Sequence, residues 1–168
     1  MISWQYFPKR DALPEHLSTL LNVFKKHSKE IDSQTKNLSS NDALRALKQD
    51  LFEAQYKVEQ GKKAEDKIQV PVLFGRNGQL EKSFQVDAFH KESGTVLEVE
   101  AGRGVMNHQF LRDLFEACMM YGTNYLAIAV RNTYLKSQDF EKVVTYFDIL
   151  YASGRLTLPL KGVLVIGY

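Results

Sequence analysis

The chain has 168 residues, 44% hydrophobic and 25% charged, a balance that argues against disordered and fibrous classes and suits one domain spanning 1–168. A formal net charge of +2 is too small to be a nucleic-acid footprint, so charge allows DNA binding without arguing for it. The longest apolar runs, such as GVLVIGY at 162–168, fall short of the ~18 residues of a membrane span, the N-terminus lacks a signal-peptide core, and Cys118 is the single cysteine, so a reducing, cytoplasmic location without membrane contact is expected.

Residues 1–40 are expected to form an N-terminal helical extension. They start with the aromatics Trp4, Tyr6 and Phe7, after which Leu13, Leu17, Leu20, Leu21 and Phe24 recur at helical spacing. The polar stretch SQTKNLSSND at 33–42 reads as a connector in which Ser40 or Asn41 caps the next helix. That helix is predicted over 42–59, with Leu44, Leu47, Leu51, Ala54 and Val58 on one face. The period then changes to that of strands: IQVPVLFG, a turn at RNGQ, LEKSFQVDAFH, a turn at KESG, and TVLEVEA. Asn77-Gly78 fits a type I′ hairpin turn, which needs positive φ at both central residues. Pro71 marks its strand as an edge or as irregular, because proline brings no N–H to a ladder.

Beyond Gly102 and Gly104 the helical period returns in VMNHQFLRDLFEACMMYG, with Asn107 as cap. Phe110, Leu114, Cys118 and Tyr121 form one stripe, Leu111 and Phe115 lie beside it, and His108, Arg112 and Glu116 lie opposite. NYLAIAVR at 124–131 is a continuous apolar run suited to a strand covered on both faces. A helix over 137–152 and one or two further strands complete the chain. The order predicts an α/β (α+β) fold: a mixed sheet with a three-stranded meander, parallel pairing at the crossovers, and helices on both faces.

The segment VDAFHKESGTVLEVEAGRG at 86–104 concentrates acids in the most strand-like part of the chain. Strand alternation points Glu98 and Glu100 one way and Leu97, Val99 and Ala101 the other. With Lys91 to Gly94 as the turn, His90 lies opposite Thr95 and Asp87 opposite Glu98, a register that a bulge would shift. Like charges facing each other destabilise a sheet, and burying them unpaired costs several kcal/mol or raises their pKa values. A divalent cation compensates such a group well; Mg²⁺ takes one or two carboxylates together with waters and phosphate oxygens, and activates water for phosphodiester hydrolysis. The alternative is a solvated acidic face balanced by Lys82, Lys91 and Arg103.

The order of helix, meander with Asp87 near the end of its second strand and Glu98-x-Glu100 in its third, then helix and strand, resembles the PD-(D/E)xK nuclease superfamily over about 41–131. The resemblance implies a restriction-endonuclease-like fold and a Mg²⁺-dependent endodeoxyribonuclease, with Mn²⁺ as a substitute ion. Asp87 and Glu98 match the metal-binding acids, and Glu100 takes the catalytic position that lysine usually occupies, as in the Glu-x-Glu subgroup of type II restriction endonucleases. It also implies DNA as partner, with RNA left open, and a homodimer that cuts both strands. A catalytically silent binding or scaffold protein with the same fold is the rival, because Glu100 cannot supply lysine's positive charge.

Many members of that superfamily carry a further glutamate on the helix before the meander, for which Glu53 or Asp50 is the candidate here. Gln109 is a candidate to face the site from the following helix. Arg103, between two glycines, is positioned to contact a nucleic-acid phosphate or to pair with an acid. His90 and His108 lack partners at zinc-site spacing, Cys118 lies on an apolar stripe, and no hydrolase elbow or phosphate-binding loop motif occurs.

Overall fold

A computed structural model describes residues 1–61 and 63–168. Its elements in chain order are β1 (Ser3–Phe7), α1 (Glu15–Lys26), α2 (Ser28–Ile31), α3 (Ser40–Glu53), β2 (Lys57–Val58), β3 (Ile68–Phe74), β4 (Leu80–Val86), β5 (Ala88–His90), β6 (Thr95–Val99), α4 (Gln109–Met119), β7 (Tyr125–Val130), α5 (Asp139–Ser153) and β8 (Gly162–Gly167). Six strands form one sheet in the order β1-β8-β7-β6-β5-β2, and β3 and β4 form a separate two-stranded sheet. The pairs β6/β7 and β7/β8 are parallel, bridged by the crossover helices α4 and α5, and the outer pairs are antiparallel.

The interior strands β7 and β8 are nearly or wholly buried, as their unbroken apolar sequences require of strands covered on both faces. On one face Leu17, Leu21 and Phe24 of α1 and Leu44, Leu47 and Leu51 of α3 pack with Leu97, Val99, Ala129 and Ile166. On the other, Phe110 and Leu114 of α4 and Val143 and Phe147 of α5 pack with Val96, Leu126, Ile128 and Val165. Alternation along β6 therefore gives Leu97 and Val99 to the α1/α3 side and Val96 and Glu98 to the α4/α5 side. The mixed sheet with helices on both faces is the architecture that the sequence pattern predicts.

Several elements differ from expectation for local physical reasons. The N-terminal segment is not purely helical: Ser3–Phe7 pairs antiparallel with β8, sending Tyr6 to one core and Phe7 to the other. Adjacent aromatics buried on opposite faces are a strand property that a helical reading passes over. The α3 helix begins one residue earlier than a Ser40 cap implies, with Ser39 Oγ accepting from the Asp42 N–H at 3.2 Å. It ends at Glu53, because Gln55 takes φ +65° and turns the chain into β2, so Val58 is buried as a strand residue. The second strand of the meander is interrupted at Asp87, leaving β4 with β3 and β5 with β6.

The Asn77-Gly78 turn has positive φ at both residues, and the β3–β4 register shifts beyond Pro71, both as expected. Asn107 does not cap α4; His108 precedes the helix in a left-handed conformation without a side-chain cap. Phe115 and Tyr121 are 57% and 70% exposed, while Asp113 takes an inward position among Phe110, Leu114 and Ala117.

Candidate active site

The β5–β6 hairpin has the expected register, with His90 opposite Thr95 and Ala88 opposite Leu97, so Asp87 follows next to Glu98 just past the ladder. Its turn is tightly built. Gly94 has φ +68°, its N–H donates to His90 O at 3.0 Å, and its carbonyl accepts from Asn124 N at 2.8 Å. A Cβ at this position would overlap the Gly122 carbonyl, so only glycine fits.

Asp87 sits in the bend between β4 and β5. Its carbonyl accepts from the Glu59 N–H at 2.9 Å, and its Oδ2 accepts from the Val99 N–H at 2.8 Å. The side chain thus takes over a backbone partner where the ladder stops, which ties the acid to β6. Burial pushes the Asp87 carboxyl up to about 7; the Val99 N–H opposes this, the Glu59 charge adds to it, and Lys67, itself paired with Glu59, opposes it. Glu98 is raised well above the ordinary glutamate range by burial first and then by the charges of Asp87, Asp113 and Glu100.

Glu100 continues past β6 with its backbone held at both groups. Its N–H donates to Ala129 O at 2.7 Å, and its carbonyl accepts from Tyr168 Oη at 2.8 Å. Its carboxylate lies against Gly104, where any Cβ would overlap Oε2. Burial lifts this carboxyl to about 8, the neighbouring Asp113 adds to the rise, and Arg112 opposes it.

The fourth acid, Asp113, was not singled out in the sequence. It projects from α4 with its side chain 3% exposed, accepts from Gln109 Nε2 at 3.1 Å through Oδ1, and leaves Oδ2 buried without a hydrogen-bond partner among the described residues. Burial raises its pKa, with Gln109 and Glu100 opposing. A helical count signals it, since Gln109 and Asp113 are four residues apart and Asp113 adjoins Phe110 and Leu114 on the buried side. Gln109 accordingly reaches the acidic group through Asp113.

The other sequence candidates fall elsewhere. Asp50 pairs with Lys26 Nζ at 2.6 Å and with His27, and Glu53 accepts from Gln49 Nε2 at 3.1 Å. Their helix, α3, covers the face of Leu97 and Val99, opposite Glu98, so neither stands with the acids. Arg103 is exposed in the loop after Glu100 and makes no ion pair among the described residues. His90 is engaged by Ser93, its Nδ1 2.7 Å from the hydroxyl oxygen.

Four carboxyls and one amide therefore lie near one another on the α4 side at the end of β6. Comparison with solved structures finds a match over this whole frame: restriction endonuclease BglII, determined in complex with a DNA 16-mer, is similar with a TM-score of 0.51 and 12% identity, covering 99% of this chain and 77% of that one. The fold is restriction-endonuclease-like. At that identity the likeness is one of fold alone. No protein-family model and no curated protein matches the sequence.

The donor set consists of hard carboxylate oxygens, with one of them, Asp113 Oδ2, buried and unsatisfied, which suits Mg²⁺ or Mn²⁺ rather than a soft ion. Among the described residues no group of three or more His, Cys, Asp or Glu side chains is placed to hold a metal ion. Mg²⁺ does not require one, because it keeps waters and takes substrate phosphate oxygens beside one or two carboxylates.

Proposed function

We propose that this protein is a Mg²⁺-dependent nuclease that hydrolyses DNA phosphodiester bonds, in its most specific form a restriction-like endonuclease of the Glu-x-Glu kind. The observation that carries the reading is the juxtaposition of Asp87 with Glu98, in the expected register, on the same face as Glu100 in a restriction-endonuclease-like fold. Asp87 and Glu98 are the residues that would hold the ion. Asp87 is oriented by the Val99 N–H, and the elevated pKa values mark carboxylates whose charge the protein alone leaves poorly compensated. When bound, the ion supplies positive charge to the phosphate and lowers the pKa of water.

Glu100, anchored through its backbone, either adds a ligand or orients the attacking water. Arg103, exposed beside the acids, contacts a phosphate of the DNA, and two copies acting together would cut both strands. Mn²⁺ would substitute for Mg²⁺, and RNA is the alternative substrate. The second reading, a silent DNA-binding or scaffold protein, is favoured by one feature: Lys67, whose charge opposes the rise at Asp87, is already paired with Glu59.

A plasmid-nicking assay in Mg²⁺ or Mn²⁺ separates the two. Nicking that falls by at least ~10²-fold in Asp87→Asn and Glu98→Gln supports the nuclease. DNA binding by the wild-type chain with no nicking in either metal supports the scaffold. Parallel DNA and RNA substrates identify the nucleic acid.

A further inference from the structure

The loop after β7 carries a residue that the acidic group does not explain. Leu135 adopts φ +56°, a left-handed backbone that a bulky residue rarely takes, and it is 83% exposed. A large apolar side chain held in this way is costly twice, in backbone strain and in contact with water; glycine at the same place would avoid both.

The turn beneath it is firmly built. Tyr134 and Ser137 exchange backbone hydrogen bonds of 2.9 Å in each direction, which puts Leu135 and Lys136 at the corner. Ser137 Oγ donates to Asp139 and accepts from Lys142 Nζ at 2.9 Å. The buried Arg131 guanidinium stands over the Tyr134 ring at 5.0 Å, and its Nη1 donates to Asn37 Oδ1 at 2.7 Å. Leu135 is therefore presented to solvent on a fixed support.

This turn is a ridge with a cleft on either side. Met106, itself 52% exposed, and Leu135 face one cleft, bordered by Lys136 and Lys142. Lys36 and Arg131 line the other. Neither cleft is lined by an Asp or Glu, and Lys36 and Lys136 make no ion pair among the described residues. Topology sets the ridge at the same end of the sheet as the acids. β6 and β7 run parallel with Val99 beside Ala129, so one chain leaves the sheet through Glu100 and Arg103 to Met106 and the other through Arg131 to Leu135. The two loops meet in the cleft between Met106 and Leu135.

An apolar tip flanked by cations suits a polyanion whose interior is apolar and stacked. A protein partner would cover the exposed leucine but would not call for lysines on both flanks with no acid among them. We propose that Leu135 is a wedge that enters duplex DNA at a base step, with Lys36 and Lys136 on the flanking phosphates. The inference rests on the nuclease reading for DNA as partner, and it makes the Tyr134–Ser137 turn the element that holds the duplex in register with the acids.

Opening a base step costs stacking energy, least where the stack is already broken. The test is fluorescence anisotropy of the full chain, in EDTA and in Ca²⁺, on two labelled duplexes of one sequence, one intact and one lacking a central base. The chains compared are the wild type, Leu135→Ala, Leu135→Gly and Lys136→Ala. The wild type should bind the duplex with the missing base roughly tenfold more tightly. Both Leu135 variants should lose that preference and keep the salt dependence, whereas Lys136→Ala should weaken both duplexes equally and reduce the slope of log affinity against log salt by about 1. Leu135→Gly removes the strain along with the side chain, so a loss that it shares with Leu135→Ala belongs to the side chain.

Equal binding of the two duplexes by the wild type, or a preference that survives in both Leu135 variants, would overturn the wedge. If that chain nicks plasmid DNA in Mg²⁺, the nuclease reading stands without it. Sedimentation of the same variants tests the rival occupant: a dimer that becomes a monomer in Leu135→Ala, with both duplexes bound alike throughout, overturns the wedge and assigns the tip to a contact between copies. Preference lost in the Leu135 variants of a chain that never nicks supports the wedge on a silent DNA-binding protein. A wild-type chain that neither binds nor nicks DNA removes both readings.

Discussion

Clustering of buried carboxyls should make the metal-free protein lose stability as pH rises toward neutrality, and the size of the effect follows from Asp87. Its carboxyl moves from 3.8 to about 7 on folding. The native state therefore keeps a proton that the unfolded chain releases, so stability falls as pH rises through the window between those values. The full difference is on the order of 4 kcal/mol, at ~1.4 kcal/mol for each pH unit. Over the span from about pH 5 to pH 8, Asp87 contributes roughly 3 kcal/mol of that loss. Glu100, raised from 4.5 to about 8, acts in the same direction, with its share reduced by its partial contact with solvent. Against a typical total of about 5–15 kcal/mol, this is a large fraction.

The assay is urea denaturation across that range in EDTA and in saturating Mg²⁺, with Asp87→Asn as the subtraction. His27 adds a pH dependence of the same sign: burial opposes its protonation, and the bonds to Asp50 and Glu30 raise its pKa, so its stabilisation is lost as pH rises. The variant retains this contribution and removes that of Asp87. The midpoint in EDTA should fall with pH for the wild type and fall less steeply for Asp87→Asn. Mg²⁺ should restore stability at high pH, by about 2.7 kcal/mol at a hundredfold excess over its dissociation constant. A wild-type midpoint in EDTA that stays level or rises with pH would refute the reasoning, as would an Asp87→Asn slope equal to that of the wild type.

Gly94→Ala forces a positive φ on alanine and drives its Cβ into the Gly122 carbonyl, so it should cost at least ~1–3 kcal/mol by urea midpoint. Gly104→Ala displaces the Glu100 carboxylate while leaving an ordinary backbone conformation; Mn²⁺ binding should weaken by roughly tenfold, with a stability change under about 1 kcal/mol. Arg103→Ala should weaken DNA binding and reduce the slope of log affinity against log salt by about 1, measured by fluorescence anisotropy. Leu97→Ala empties a fully buried position on the face opposite the acids and should cost about 2–5 kcal/mol in denaturation.

Periodicity in the sequence located the elements that bury a long, regular face. The stripes of α1 and α3, the apolar run of β7, and the crossovers that follow are legible because each element presents many apolar positions in one pattern. The elements it did not locate are short or depend on partners far along the chain. β1 is a strand because β8 lies beside it, and β2 has only two residues, Lys57 and Val58, whose pairing with β5 no local pattern encodes. The break at Asp87 is of the same kind. Alternation runs unbroken from β4 through β5, and the division between two sheets arises where the Asp87 side chain, rather than its strand neighbour, takes up the Val99 N–H.

For the site, the hairpin register was readable because turn length and alternation leave little freedom, and it placed three acids together. Asp113 is placed on the buried side of its helix by a helical count beside Phe110, Leu114 and Ala117, but that count does not say what it faces. Its burial becomes meaningful only once β6 is known to carry Glu98 on the side that α4 covers. That contact changes the standing of Glu100. Considered as a replacement for lysine, it is a loss of positive charge; under Gly104 and in the field of Asp113, it is one more acid of a buried cluster. Like charges in a buried site cost stability unless a proton or a cation compensates them. Glu100→Lys therefore discriminates between the two accounts. In an inactive scaffold the new lysine neutralises Asp113 and raises the urea midpoint without affecting any function. In a cation-dependent nuclease the midpoint in EDTA rises in the same way, and Mn²⁺ binding and nicking fall with it.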